Sequence, residues 1–136
     1  LRPLALEHGS LSAALTTLLE AMTAGTGIRA SIRTEGDVFA IPLDWEDDLL
    51  RIGQEALTNA LKHATPTRIE ATLRFSPAEI VLEVFDDGVG FDSSRASDGM
   101  GLTGMRERCA RMGGRFELDT APGRGVRIRA TLALDC

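Results

Sequence analysis

The sequence predicts a two-layer α/β (α+β) sandwich: a mixed, mainly antiparallel sheet covered on one face by three helices. Three observations predict it. Segments of alternating apolar and polar residues come in pairs joined by short turns, as in 67–75, Ser76-Pro77 and 78–85. Three other stretches repeat their apolar residues every three or four positions, the helical spacing. The 136 residues carry no internal repeat and no linker, so the whole chain, 1–136, reads as one domain large enough to bury a core.

The elements follow in order. Ser10 is a plausible N-cap for a helix in which Leu11, Ala14, Leu15, Leu18, Leu19 and Met22 recur, and Gly25 and Gly27 end it. Residues 28–33 alternate as a short strand, Gly36-Asp37 turns, and 38–41 forms a second short strand before Pro42. Asp44 caps a second helix with an acidic first turn, which suits the positive end of the helix dipole; it runs to about Ala64, where Pro66 stops it. The strand pair 67–75 and 78–85 is followed by a polar stretch from 87 to 100. A third helix spans 102–112 and closes at Gly113-Gly114; then come strand 115–119, the turn Pro122-Gly123 and a last strand 126–134.

Composition excludes several classes. A hydrophobic fraction of 43% and a charged fraction of 26% are ordinary for a globular protein, and a net charge of −5 argues against a general nucleic-acid binder. No apolar run reaches the ~18 residues of a membrane helix, and no signal peptide is visible. The first residue is Leu1, so a fragment of a longer protein is expected. Cys109 and Cys136 match no metal or disulfide spacing and read as incidental thiols of a cytosolic protein.

Three segments carry chemistry. In the second helix Glu55, Asn59, Lys62 and His63 fall within one arc, opposite Leu50, Gly53, Leu57, Ala60, Leu61 and Ala64. The apolar side is expected on the sheet and the polar stripe facing away from it. A solvated face is the bland alternative, yet Asn is a poor choice in mid-helix. An amide oxygen and a carboxylate one turn apart can hold a hard cation such as Mg²⁺, and Lys62 can meet phosphate oxygens; His63 can do likewise, although a lone His is more often structural. Second, Asp86-Asp87-Gly88-Val89-Gly90 ends a strand. An ionised carboxylate only accepts hydrogen bonds, which suits an exocyclic amine such as adenine's; a plain Asp-Gly turn is the alternative. The loop that follows is longer than a hairpin needs. Third, Gly99, Gly101 and Gly104 stand around the start of the third helix, where free backbone N–H groups favour an anion. The Gly-x-Gly-x-x-Gly spacing lacks the preceding strand of a dinucleotide fold, and no Gly-Lys-Ser/Thr marks a P-loop.

Together these residues resemble the ATP-binding catalytic domain of bacterial sensor histidine kinases, within the superfamily of gyrase, Hsp90 and MutL. Residues 54–64, Gln-Glu-Ala-Leu-Thr-Asn-Ala-Leu-Lys-His-Ala, are similar to that family's N-box. Asp86-Asp87-Gly88-Val89-Gly90-Phe91 resembles its first glycine box, and 99–108, Gly-Met-Gly-Leu-Thr-Gly-Met-Arg-Glu-Arg, resembles the second in its NarX/DesK-like form. The resemblance implies a Bergerat-type fold, with ATP and Mg²⁺ as cofactors. It implies Asn59 on the metal, Asp86 on the adenine amine, and Lys62 and His63 on phosphates or ribose. Gly88, Gly90, Gly101 and Gly104 would shape the loops, Gly99 and Leu102 would contact the nucleotide, and 91–101 would form an ATP lid. Glu55 stands where the ATP-hydrolysing relatives carry a general base. The implied partners are a dimerisation domain bearing the acceptor histidine and, indirectly, a response regulator, in the cytosolic part of a sensor. Two departures stand out. Val126 follows Gly123-Arg124-Gly125 where many members carry Thr, and no segment resembles the acceptor helix, His8 lying before a Gly outside any long helical pattern. A stand-alone ATPase, an anti-sigma serine kinase and a non-catalytic scaffold are the alternatives.

Overall fold

The computed structural model describes residues 4–95 and 100–134, with side chains for 11–94 and 100–134. Helix α1 (Leu4–Thr23) is followed by β1 (Arg29–Glu35), α2 (Leu43–Asn59) with a π-turn (Ala60–Ala64), β2 (Arg68–Phe75), β3 (Glu79–Asp86), α3 (Leu102–Arg111), β4 (Arg115–Thr120) and β5 (Val126–Ala133). The sheet order is β1-β2-β3-β5-β4, with β1 parallel to β2 and every other pair antiparallel. The two-layer sandwich is therefore the one expected. Among the described residues no helix is long and apolar enough to cross a membrane.

The core lies between helices and sheet. Leu11, Leu15 and Leu19 of α1, Leu49, Ile52 and Ala56 of α2, and Met105 and Cys109 of α3 meet Ile69 and Leu73, Ile80 and Leu82, and Ile128 and Leu132, all buried. The four-residue spacing on the helices and two-residue spacing on the strands put these side chains on one face each. The opposite sheet face carries charge: Glu83 bonds Arg127 at 2.8 Å and Arg129 at 3.0 Å, and Phe85 lies between the guanidiniums of Arg68 and Arg127. Asp48 of α2 is buried against α3, where it accepts hydrogen bonds from Arg111 and from Arg108 (3.3 Å).

Four local expectations need correction. Helix α1 starts at Leu4, so Ser10 lies inside it and not at its N-cap position, and His8 lies within a long helix. Leu4 to Glu7 are strong helix formers, and the one intervening glycine costs only ~1 kcal/mol. Residues 38–41 join no ladder. Gly36 passes so close to the Phe75 backbone that no side chain would fit, which turns the chain off the sheet edge, and Phe39 then sets its ring edge-on to Phe75 at 5.1 Å. Helix α2 has Pro42 at its N-cap position; the Pro42 carbonyl accepts from Trp45 and Glu46, and Asp44 sits in the first turn without capping. Finally, α2 does not reach Ala64 as one regular helix, because its last residues form the π-turn, closed by Thr65 at φ 44°. Helix α3 ends as predicted, with Gly113 and Gly114 donating to Ala110 and Cys109 at 2.9 Å. Cys109 is a buried free thiol whose pKa burial pushes up, an inert core residue. Cys136, Gly99 and residues 96–98 of the expected lid lie outside the described residues.

Candidate functional site

The end of β3 delivers Asp86 to the helix-facing side of the sheet, where it is only 5% exposed. A buried carboxylate needs a reason, since desolvating a charge is costly unless it is paired. The Gly88 N–H donates to Asp86 Oδ1 at 2.9 Å, and among the described residues no positive side chain pairs with it. Burial pushes its pKa up, the Gly88 N–H pulls the other way, and the adjacent Asp87 adds to the rise. Asp86 thus retains acceptor capacity aimed into a cleft.

That cleft holds about 520 Å³ of empty space, its mouth included. Its walls are apolar: Ala56 and Ala64 from the α2 side, Val84 and Ile128 side by side on β3 and β5, and Phe91, Met100, Leu102 and Val126 around the rim. Among the described residues, the polar side chains that line it are Asp86, Asn59 and His63. An apolar cleft lined by a buried carboxylate acceptor fits a heteroaromatic ring bearing an amine.

The polar stripe of α2 does not face away from the sheet as expected; it divides. Asn59 and His63 line the cleft, Lys62 is exposed outside its lining, and Glu55 lies half-buried beside Gly101. The π-turn explains the division. A wider turn brings His63, four residues on, closer to the line of Asn59 and swings Lys62 away from it. The Asn59 amide donates to the Met100 carbonyl, leaving its own oxygen free to accept. Among the described residues no three His, Cys, Asp or Glu side chains cluster as a metal site. Asn59 alone suits a cation that keeps its waters and takes other ligands from a bound phosphate chain.

The glycine segments are positioned by close approach. A side chain at Gly88 would collide with Ala64, whose carbonyl also accepts the Val89 N–H at 2.9 Å; the first glycine segment is thereby pressed onto the end of α2. Gly90 abuts the Ala121 carbonyl of the β4–β5 turn. Gly101 caps α3 at φ 67°, and Glu55 fills the space a side chain there would need. Leu102 opens α3 and lines the cleft, while the first-turn N–H groups of α3 are donors near the rim. Gly104 lies inside α3 with open space where a side chain would stand, so it shapes no loop.

Sequence reasoning missed four contributors. In the sequence Asp87 is only a motif letter, yet its carboxylate accepts three hydrogen bonds from Thr67 and Arg68 at the start of β2. The Thr120 hydroxyl donates to the Gly125 carbonyl at 2.7 Å and accepts from the Phe91 N–H at 3.2 Å, tying the rim together. Val84 and Ile128 form the cleft floor; the strand alternation that buries Leu82 and Ala130 also places them on the inner face, a signal that was available.

A family model described as histidine kinase-, DNA gyrase B-, and HSP90-like ATPase matches residues 45–135. Among curated relatives, the sensor histidine kinase ComP of Bacillus subtilis is 34% identical over 137 residues, covering 98% of this chain and 18% of its own. LiaS of the same organism, also a sensor histidine kinase, is 34% identical over 138 residues, covering 98% of this chain and 37% of its own. The sensor protein VraS of Staphylococcus aureus is 31% identical, covering 99% and 39%. The chain therefore spans well under half the length of these relatives. In fold it is similar to the blue-light activated histidine kinase of Erythrobacter litoralis, at TM-score 0.72 and 20% identity over 94% of this chain and 42% of that one. The catalytic domain of the histidine kinase ThkA superposes at TM-score 0.76 with 14% identity, over 93% of this chain and 92% of that one.

Proposed function

The chain belongs to the histidine kinase-, DNA gyrase B-, and HSP90-like ATPase family, and from that premise we propose that it is the MgATP-binding catalytic part of a sensor histidine kinase. The buried Asp86 carboxylate lining an apolar cleft, with no ion-pair partner among the described residues, carries the reading. It accepts the adenine amine, Val84, Ile128 and Leu102 sandwich the ring, and Asn59 and His63 stand where the base gives way to sugar and phosphate. The Asn59 oxygen would hold Mg²⁺ together with phosphate oxygens, and the ion would supply charge neutralisation on the phosphate chain. The first turn of α3 and Lys62 add donors for phosphate oxygens.

The γ-phosphoryl passes to a histidine nitrogen on a separate dimerisation domain: a P–N bond forms, the bond to the β-phosphate oxygen breaks, and ADP leaves. A response regulator then receives the group. In this reading the domain sits in the cytosol as part of a longer sensor, and it binds neither nucleic acid nor membrane. Support comes from three motifs converging on one cleft and from relatives named as sensor kinases. The test is titration calorimetry with ATP and GTP, each with and without Mg²⁺. Tight, Mg²⁺-dependent ATP binding over GTP is expected; equal binding of both bases would remove the basis of the assignment.

A further inference from the structure

Two adjacent carboxylates end β3, and they do different work. Asp86 bonds within its own turn, to the Gly88 N–H. Asp87 reaches across to another element. Its Oδ1 accepts the Thr67 N–H at 2.8 Å and the Arg68 N–H at 2.9 Å, and its Oδ2 accepts the Thr67 hydroxyl at 2.6 Å. The Asp87 N–H returns a bond to the Arg68 carbonyl at 3.2 Å. A surface Asp-Gly turn needs none of these contacts, because its own backbone and water would satisfy it. Three donors converge on this one side chain, and an ionised carboxylate has the lone pairs to accept all three and the charge to strengthen each bond. Those donors, the Thr67 hydroxyl first, hold Asp87 below the usual carboxylate range, so it remains an acceptor while its neighbour is pushed up.

The position of Thr67 gives the contact its meaning. Residues 64–67 are the corner between the helix end bearing Asn59 and His63 and the start of β2, and Thr65 turns it at φ 44°. Val89 ties to the Ala64 side of this corner, and Asp87 ties to the Thr67 side. The turn that carries Asp86 is thus stitched to the α2 end on both flanks. Without the Asp87 side chain, the Thr67 flank would be held only by the single long backbone bond from the Asp87 N–H to the Arg68 carbonyl. We infer that Asp87 is a positioning residue, which through its bonds to Thr67 and Arg68 fixes the direction of the Asp86 carboxylate relative to Asn59 and so sets the preference for adenine. The inference rests on the reading of Asp86 as the adenine acceptor.

The experiment compares Asp87→Asn and Thr67→Val with the parent chain by calorimetry against MgATP and MgGTP, and repeats Asp87→Asn in an Asp86→Ala background. Asp87→Asn keeps the shape, reverses the bond to the Thr67 hydroxyl, which can accept as well as donate, and takes the charge out of the two bonds from the Thr67 and Arg68 N–H groups; ATP affinity should fall about tenfold, with GTP affinity changing much less. Thr67→Val removes one hydroxyl and nothing else, and should narrow base preference in the same direction by roughly two- to threefold. In the Asp86→Ala background Asp87→Asn should have no further effect, the non-additivity expected of residues acting as a unit. Equal losses for ATP and GTP, or the same loss in both backgrounds, would make Asp87 a residue of the fold alone. So would an unchanged base preference in Thr67→Val, the arm that decides if Asp87→Asn does not fold. If Asp86→Ala itself leaves ATP binding intact, the functional reading fails first, a result distinct from failure of the Asp87 arm.

Discussion

Replacing Asp86 by Asn should weaken function and strengthen the fold, and both signs follow from the same burial. Asn keeps the size of Asp, and its oxygen can still accept the Gly88 N–H that Asp86 accepts at 2.9 Å. What changes is the group facing the cleft, where an acceptor is replaced by an N–H₂ donor. Against the adenine amine this leaves donor facing donor; an unpaired buried polar group costs ~1–3 kcal/mol, so ATP affinity should fall roughly five- to a hundredfold. Against guanine the same donor meets a carbonyl oxygen, so GTP should gain relative to ATP. Stability moves the other way. Burial holds the folded pKa of Asp86 above its ordinary value. A carboxylate so shifted favours folding below its unfolded pKa, and that contribution is lost as pH rises through the folded pKa. At neutral pH the ionised group therefore opposes folding, and Asp86→Asn should be the more stable apo protein, its advantage shrinking as pH falls toward the ordinary carboxylate range. Calorimetry with both nucleotides and urea unfolding at neutral and acid pH measure the two effects. A variant that is less stable at neutral pH and retains its base preference would refute the reasoning, because Asp86 would then be a structural turn residue.

Asn59→Ala should abolish most of the gain in ATP affinity on adding Mg²⁺ and leave metal-free binding nearly unchanged, measured by titration with Mg²⁺ or with chelator; because it also releases the Met100 carbonyl, a small loss in melting temperature should accompany it. Asp48→Ala should cost ~1–3 kcal/mol in urea unfolding, since it strips the buried acceptor from Arg108 and Arg111, while nucleotide affinity stays within a factor of about two. In the parent chain Arg111 holds the Asp48 pKa below its ordinary value, so this tie is present above the unfolded carboxylate pKa and is lost as pH falls through the folded one; the gap between parent and variant should close at strongly acid pH. Incubated with γ-labelled ATP, the 136-residue chain should remain unlabelled, and label should appear on histidine only when an acceptor domain is supplied in trans; acid-labile label on the chain alone would make His8 or His63 the acceptor.

The fold and the cleft were legible in the sequence to different depths, for reasons visible in particular residues. Strand alternation located β2, β3, β4 and β5 to within a residue or two, because one face of each is buried, or in β4 half-buried, and a slip would expose it. The segment 38–41 alternates just as well, yet no strand edge receives it, since Gly36 turns the chain away at Phe75. That is a tertiary contact no local pattern records. The same holds at the site. The identities of Asn59 and Asp86 as odd polar residues could be read from propensity and from the strand end. Their convergence could not, because it depends on where the π-turn places His63 and Lys62, and on the stitching of residues 86–89 to the corner at 64–68. Gly88 is informative in the sequence only as a permissive residue; its requirement comes from Ala64 pressing on it from another element. The motif letters thus mark the groups that touch nucleotide, whereas the distances between them are set by residues such as Asp87, Thr67 and Thr120 that lie outside the pocket. Substitutions at those three should therefore alter the geometry of binding without removing any group that meets the ligand.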